Sequence, residues 1–378
     1  MIEIKEVKTK KEQKRFLNFP LKLYKHNPYF APPLYGDEKK IFRKDFVYND
    51  TCEHIYFNAY MDGKMAGRIS GIIQRASNEI RNEKRVRFTR FDSIDNIEVA
   101  RALFAAVEDW AKKKGMNAVV GPLNFSDLER EGLLVEGFDQ LSTFEEQYNY
   151  EYYGKLIEAC GYRKEVDWLE SRLTPIPGNA DSLDRMAQFV MNRYDLHFGR
   201  AKNVNDFLKR YGDAFFELLD RAYADIYGAV PFTDGMKQMM YANFKLIIDL
   251  KHVALILDKN ERVVCLGICF SSLARAMQKS SGRLTPAGIV RVLHAIKHPD
   301  IIDLGLIAVD PEYINKGVAT VVLSELNKML CEPGIKWAET NLNLEDNHAI
   351  LNSWKRFNAV QHKRRRSYLK VLEEGVEQ

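Results

Sequence analysis

The most chemically suggestive stretch of the chain is IIDLGLIAVDPEYINKGVATVVLSEL, residues 301–326. An apolar strand through Ile307 and Ala308 ends at Val309, and Asp310-Pro311 breaks it. A turn holding Ile314, Asn315, Lys316 and Gly317 then opens an amphipathic helix through Val318 and Ala319. A helix start presents backbone N–H groups with no intrahelical partner, together with the positive end of the helix dipole. With Lys316 beside it and a glycine that lets a ligand approach the backbone, this order of residues makes a phosphate site. An ordinary strand-to-helix turn has the same residue types, so the surrounding sequence has to decide.

Other chemistries leave weaker traces. The histidines show no metal-ligand spacing: His294 and His298 are four apart, but Pro299 follows and no acidic partner fits, so no metal is expected. Five scattered cysteines without a CxxC pair suit a reducing compartment, and Cys265 and Cys269 read as core positions on one strand. No nucleophile-elbow serine, P-loop lysine or dinucleotide glycine motif occurs. The run His362-Lys363-Arg364-Arg365-Arg366 alternates between strand faces and is expected to be a solvated edge rather than a nucleic-acid groove. A formal charge of +4, from 56 basic and 52 acidic residues, is likewise too balanced to argue for nucleic acid. No apolar run reaches the ~18–20 residues of a membrane helix, and the N-terminus is charged without a signal-peptide core. A cytoplasmic protein with no membrane or nucleic-acid partner is the expectation.

The elements that must position the 301–326 segment read as two similar halves. In the first, Asp62-Gly63 is a hairpin turn between strands 54–61 and 64–74. Strand 85–91, helix 97–114, strand 116–121, a helix at 149–160 and strand 162–173 follow. TPIPG, residues 174–178, has two prolines and a glycine in five positions and reads as the linker. The second half repeats the order: helices, a hairpin around Lys259-Asn260, strand 301–309, helix 317–330, strand 337–342, helix 347–357 and strand 360–372. At ~150 residues per domain, 378 residues suit two domains, with boundaries expected at 1–175 and 179–378.

VDPEYINKGVATVVL resembles the pyrophosphate loop of the GCN5-related N-acetyltransferases (GNAT), with Val309, Pro311, Gly317 and Ala319 at matching positions. Ile314 stands where the pattern has Arg or Gln. ETNLNLEDNHAILNSWKRFNAV, residues 339–360, is similar to the family's next strand and helix. There Asn347 and Ala349 match loosely, Trp354 falls at the usual tyrosine, and Asn358-Ala359 replaces Gly-Phe. The first half reproduces only the frame: NYEYYGKLIEACGYRK resembles the late block, but DSIDN stands where the phosphate loop belongs. Asp92, Asp95 and Glu98 would repel a pyrophosphate. Long two-copy bacterial proteins with GP-x-N-F-S and LVEGFD segments, here 121–126 and 134–139, look similar.

The resemblance implies an α/β fold of two tandem acyl-CoA N-acyltransferase (GNAT-like) domains with mixed, mostly antiparallel sheets. The first would be degenerate and the second would bind acetyl-CoA or another acyl-CoA. Backbone at Ile307, Ala308 and Val309 would pair with pantetheine, the 314–319 turn would hold the pyrophosphate, Asn341 and Asn343 would face or flank the gap from the other strand, and Asn347 would belong to the cofactor-binding set. Asp303 and Glu339, on the strands expected to line the cleft, are candidates for a general base, with Trp354 shaping the cleft by packing. The implied reaction is acyl transfer to a small-molecule or peptide amine. A non-catalytic CoA-binding protein and a tandem aminoacyl or peptidyl transferase stay open as alternatives.

Overall fold

A computed structural model describes residues 1–372. Fourteen strands are assigned: β1 (Ile2–Glu6), β2 (Cys52–Met61), β3 (Lys64–Gln74), β4 (Arg85–Ser93), β5 (Ala118–Gly121), β6 (Leu133–Glu136), β7 (Arg163–Thr174), β8 (His197–Phe198), β9 (Val253–Leu257), β10 (Val263–Ser271), β11 (Ile301–Val309), β12 (Trp337–Glu339), β13 (Asn343–Leu344) and β14 (Asn358–Val371). They divide between two compact units. Among the described residues one contains Met1–Leu169, Ala274–Val290 and 363–372; the other contains Glu170–Leu273 and Arg291–His362.

In the first unit β1, β2, β3 and β4 form an antiparallel meander, β5 joins parallel to β4, and β14 lies antiparallel to β5. The Asp62-Gly63 turn has positive φ at both residues (49° and 76°), the conformation a tight two-residue hairpin needs. Helix Ile97–Lys113, capped by Asn96, buries Val99, Leu103, Phe104 and Val107 against the meander, the spacing of one helix face. In the second unit β8, β9, β10 and β11 are antiparallel, β12 joins parallel to β11, and β7 lies antiparallel to β12. Helix Ala319–Leu330 packs Val321, Val322, Leu323 and Leu326 on one face of this sheet. Helix Val204–Tyr223 packs Phe215 and Leu219 with Leu266 and Ile268 in a separate core cluster. Both units therefore repeat one order, four antiparallel strands, a parallel fifth and an antiparallel sixth.

A single cut at residues 174–178 does not separate these units. The sixth strand of each is completed from the other half of the sequence: β5 pairs with β14 at Tyr368–Val371, and β12 pairs with β7 at Arg172–Leu173. Local patterning specifies that 163–174 and 358–371 are strands, but not which neighbour each pairs with. The basic run corrects an expectation for the same reason. It lies on β14 next to β5 and β6, so Lys363 and Arg365 are buried. Arg366 holds Asp167 through Nε and Nη2 at 2.8 and 3.0 Å, and Arg364 Nη1 reaches it at 3.1 Å. Cys265 and Cys269 are buried, as read. No helix among the described residues is long and apolar enough to cross a membrane.

Candidate functional site

The second unit's site arises from a strand pair that parts. β11 and β12 are in register only from Ile301↔Trp337 to Asp303↔Glu339; β12 then ends while β11 continues to Val309. The strand expected over 337–342 is thus three residues long, and its shortness frees one edge of β11. Just beyond the parting, β11 carries an extra residue: Cys269 faces Leu304 and Ile268 faces Leu306, which leaves Gly305 in a bulge. A Cβ there would lie 2.2 Å from the Phe270 ring, so only glycine fits. The bulge reverses the alternation: Ile302 and Leu304 before it, and Ile307 and Val309 after it, cluster with residues of helix Ala319–Leu330, whereas Leu306 and Ala308 cluster with helix Val204–Tyr223.

Free backbone on the parted edge is satisfied by side chains. Asn341 Nδ2 donates to the Gly305 carbonyl and the Tyr223 hydroxyl donates to Ile307 O at 3.0 Å. Buried peptide groups without a strand partner need such substitutes. A cleft of about 590 Å³, counting its open mouth, lies at this place. Its wall is largely apolar, with Ile268, Leu304, Leu306, Leu326 and Trp354 among the lining, and its polar groups include His252, Asn341 and Asn343. Trp354 Nε1 donates to Asn343 Oδ1 at 2.7 Å, so the indole N–H is already used. Burial lowers the His252 pKa against the opposing pull of Asp249, and its Nδ1 has no hydrogen-bond partner among the described residues. A neutral imidazole with a free nitrogen is able to accept a proton.

At the far end of β11, Pro311–Lys316 forms a turn of 3₁₀ helix that Asp310 caps by accepting from Glu312 N at 3.0 Å. Gly317 then takes φ 74°, ψ 15°, and Val318 and Ala319 begin the helix with no side chain capping it. Gly317 is exposed at this start, whereas Val318 is buried. The Lys316 ammonium sits 4.1 Å from the Tyr313 ring and 5.6 Å from the Tyr194 ring, and Arg193 lies 5.6 Å from the Tyr194 ring. Lys316 thus adjoins the helix start, and Arg193 shares the Tyr194 ring with it. Ile314 is 56% exposed and Asn315 is also exposed on the turn.

The remaining sequence candidates fall into two groups. Asp303 and Glu339 face each other across β11 and β12, and both are buried, but neither lines the cleft. Glu339 lies in a charged cluster: Trp337 Nε1 donates to Oε2 at 3.1 Å, Arg172 Nε is 3.6 Å from Oε2, and His362 Nε2 is 2.6 Å from Oε1. Asn347 caps helix His348–Trp354, accepting from Ile350 N at 3.3 Å, and Ala308 is buried against helix Val204–Tyr223. Sequence reasoning missed Arg193, Tyr223 and His252. Only their three-dimensional neighbours distinguish them from other residues of their type.

The overall fold of the chain has counterparts among solved structures. A tandem GNAT protein from the clavulanic acid biosynthesis pathway superposes with a TM-score of 0.56 over 99% of this chain and 100% of that one, at 12% identity. The fold is tandem GNAT. Among curated proteins, Protein YghO of Escherichia coli (strain K12) is 26% identical over 379 residues, 96% of this chain and 94% of that protein. A protein named bacterial ceramide synthase, from Caulobacter vibrioides (strain NA1000 / CB15N), is 27% identical over 299 residues, 77% of this chain and 75% of its own length. No family model matches the chain.

Proposed function

We propose that the second unit is an acyl-CoA-dependent N-acyltransferase. The observation that carries this reading is a single strand, β11, whose edge has no strand partner beyond Asp303, with an uncapped helix start beside Lys316 after its end. CoA matches both in chemistry. Its pyrophosphate suits the amides at Gly317, Val318 and Ala319 with Lys316 and Arg193, and its pantetheine amides suit the β11 edge. Asn341 and Tyr223 would yield the Gly305 and Ile307 carbonyls to the pantetheine.

The apolar cleft supports an acyl chain longer than acetyl. A ceramide synthase joins a fatty acyl group to the amine of a long-chain amino alcohol, and the relative of that name supports the same acceptor class here. In the reaction the neutral amine attacks the thioester carbonyl, the C–S bond breaks, and CoA leaves as a thiolate. The amine's proton must go to a base. We assign it to His252, which lines the cleft, in preference to Asp303 and Glu339, which do not. Trp354 acts by packing. Its N–H is committed to Asn343, and an indole has no useful acidity near neutral pH.

The test is thiol release from acetyl-, octanoyl- and palmitoyl-CoA, each with and without a long-chain amino alcohol. The expected result is acceptor-dependent release that rises with acyl length. CoA binding without release over that series and a broader amine panel would leave a binding protein; absence of binding would end the reading altogether.

A further inference from the structure

The first unit holds a pocket of its own where β4 and β5 part. These strands pair only from Arg85↔Ala118 to Arg87↔Val120, and beyond them β4 has an extra residue, since Ser70 faces Thr89 while Arg68 faces Asp92. Arg90 lies in that bulge with φ 50°, a left-handed conformation that costs a non-glycine residue roughly 1–2 kcal/mol. Bulges of this kind re-aim side chains. Here the Arg90 guanidinium lines a pocket of about 410 Å³, counting its mouth.

The charges around that pocket do not cancel. Arg68 Nε holds Asp92 at 2.7 Å, and Arg90 clasps Glu38 through Nε at 3.0 Å and Nη2 at 3.1 Å. Burial pushes the Glu38 carboxyl up, but Arg90 outweighs it and holds the pKa at about 2, so this pair stays charged. A third arginine, Arg130, donates to the Phe144 carbonyl and has no carboxylate at ion-pair distance among the described residues. Burial brings its pKa down to about 10, which still leaves it cationic at neutral pH. Among the residues lining the pocket three guanidinium groups therefore stand against two carboxylates; Glu146, which also acts on Arg130, lies 3.5 Å from Arg365 Nε and is not part of the wall.

The uncommitted groups are also donors. Gln147 Nε2 is buried without a hydrogen-bond partner among the described residues. The Asn124 carbonyl oxygen accepts from Arg90 Nη1 at 2.9 Å, which turns its NH₂ to other uses. Asn124 belongs to the GPLNFS segment noted in the sequence, which the acyl-transfer reading does not use. That segment is pinned by Arg87 Nη1 on Asn124 O at 3.1 Å and Gln74 Nε2 on Phe125 O at 3.2 Å. A site with excess positive charge and spare donors fits a ligand that only accepts. Phe30 and Pro33 add an apolar wall, so the ligand has an organic part.

We propose that the first unit binds a small organic oxyanion, a carboxylate or a phosphate ester, gripped by Arg130, Gln147 and Asn124 in the pocket walled by Arg90 and Glu38. The site is independent of the acyl-transfer reading. The test is calorimetric titration of the full chain with benzoate and with phenyl phosphate, using sodium chloride to control ionic strength. It is done in the Gly317→Asp background so that the second unit's helix start does not compete. One of the two probes is expected to saturate at one site per chain, and which one does so distinguishes the carboxylate from the phosphate. Arg130→Gln should weaken that binding by ~10-fold or more, as for loss of a charged hydrogen bond, and Gln147→Leu by several-fold. Should Arg130→Gln fail to fold, Gln147→Leu carries the test. No saturation by either probe at roughly 20 mM, or affinity unchanged in the folded variants, would overturn the proposal.

Discussion

Replacing Gly317 separates charge from shape at the helix start. Gly317 has φ 74°, and a Cβ there would meet only Val190 Cγ2 at 3.6 Å, an ordinary contact. Asparagine and aspartate are nearly isosteric, and both tolerate this conformation better than most residues. The pair Gly317→Asn and Gly317→Asp therefore differs essentially by one negative charge. At about 5 Å from a pyrophosphate charge and an effective dielectric of roughly 20–40, that charge costs about 2–3 kcal/mol of binding. In Kd this is roughly 30- to 150-fold. Without CoA the sign reverses: an anion at a helix N-terminus is favourable by about 0.3–1 kcal/mol, so Gly317→Asp should be at least as stable as Gly317→Asn. Calorimetric titration with CoA and denaturant melts of both variants test the two halves of this reasoning. Equal CoA affinity in the two variants would refute it, because no pyrophosphate could then lie against these amides.

Trp354→Phe should lower stability by about 1–3 kcal/mol, the cost of leaving the buried Asn343 oxygen unpaired, while CoA release stays within several-fold of the parent. A loss of ~100-fold in release with folding and CoA binding intact would show that the indole N–H does more than pack. Burial lowers the folded-state pKa of His252 below its usual 6.5, so unfolded chains take up a proton before folded ones. The stability that this group contributes is full above pH 6.5 and is lost as the pH falls from there toward the lowered folded value. Between pH 7.5 and 5.5 the parent should lose more stability than His252→Gln; parallel curves would contradict this. Burial pushes the Cys265 and Cys269 thiols up to about 12 and the Cys52 and Cys160 thiols up to about 11, whereas Cys331 is exposed. A colorimetric thiol reagent on native protein should therefore find one fast-reacting cysteine, absent in Cys331→Ser; two or more fast thiols would be inconsistent with this packing.

Much of this was legible because it is local. Asp62-Gly63 and the apolar spacing of Val99, Leu103 and Val107 dictate a turn and a helix without reference to the rest of the chain. The order Val309, Pro311, Gly317, Ala319 likewise marks a strand, a turn and a helix start, and the structure has all three. Partner choice is not local. Nothing in the residues of β7 or β14 says that each completes a unit built mainly from the other half, and this is why Lys363 and Arg365 looked like solvent-facing charges. The bulges at Gly305 and Arg90 are equally hidden, because one extra residue in a strand leaves composition unchanged while turning every later side chain over. His252 is one histidine among eight in the sequence, and its distinguishing property is the wall around it.

The central claim is that CoA binds the second unit along β11. A crystal structure of the protein with a non-hydrolysable acyl-CoA tests it most directly. The account predicts pyrophosphate oxygens on the amides at Gly317, Val318 and Ala319, pantetheine along the β11 edge with Asn341 and Tyr223 displaced, and the acyl chain in the cleft beside Leu326 and Trp354. A cofactor whose pyrophosphate lay in the first unit, or a fully loaded crystal with the Gly305 and Ile307 carbonyls still held by Asn341 and Tyr223, would contradict it.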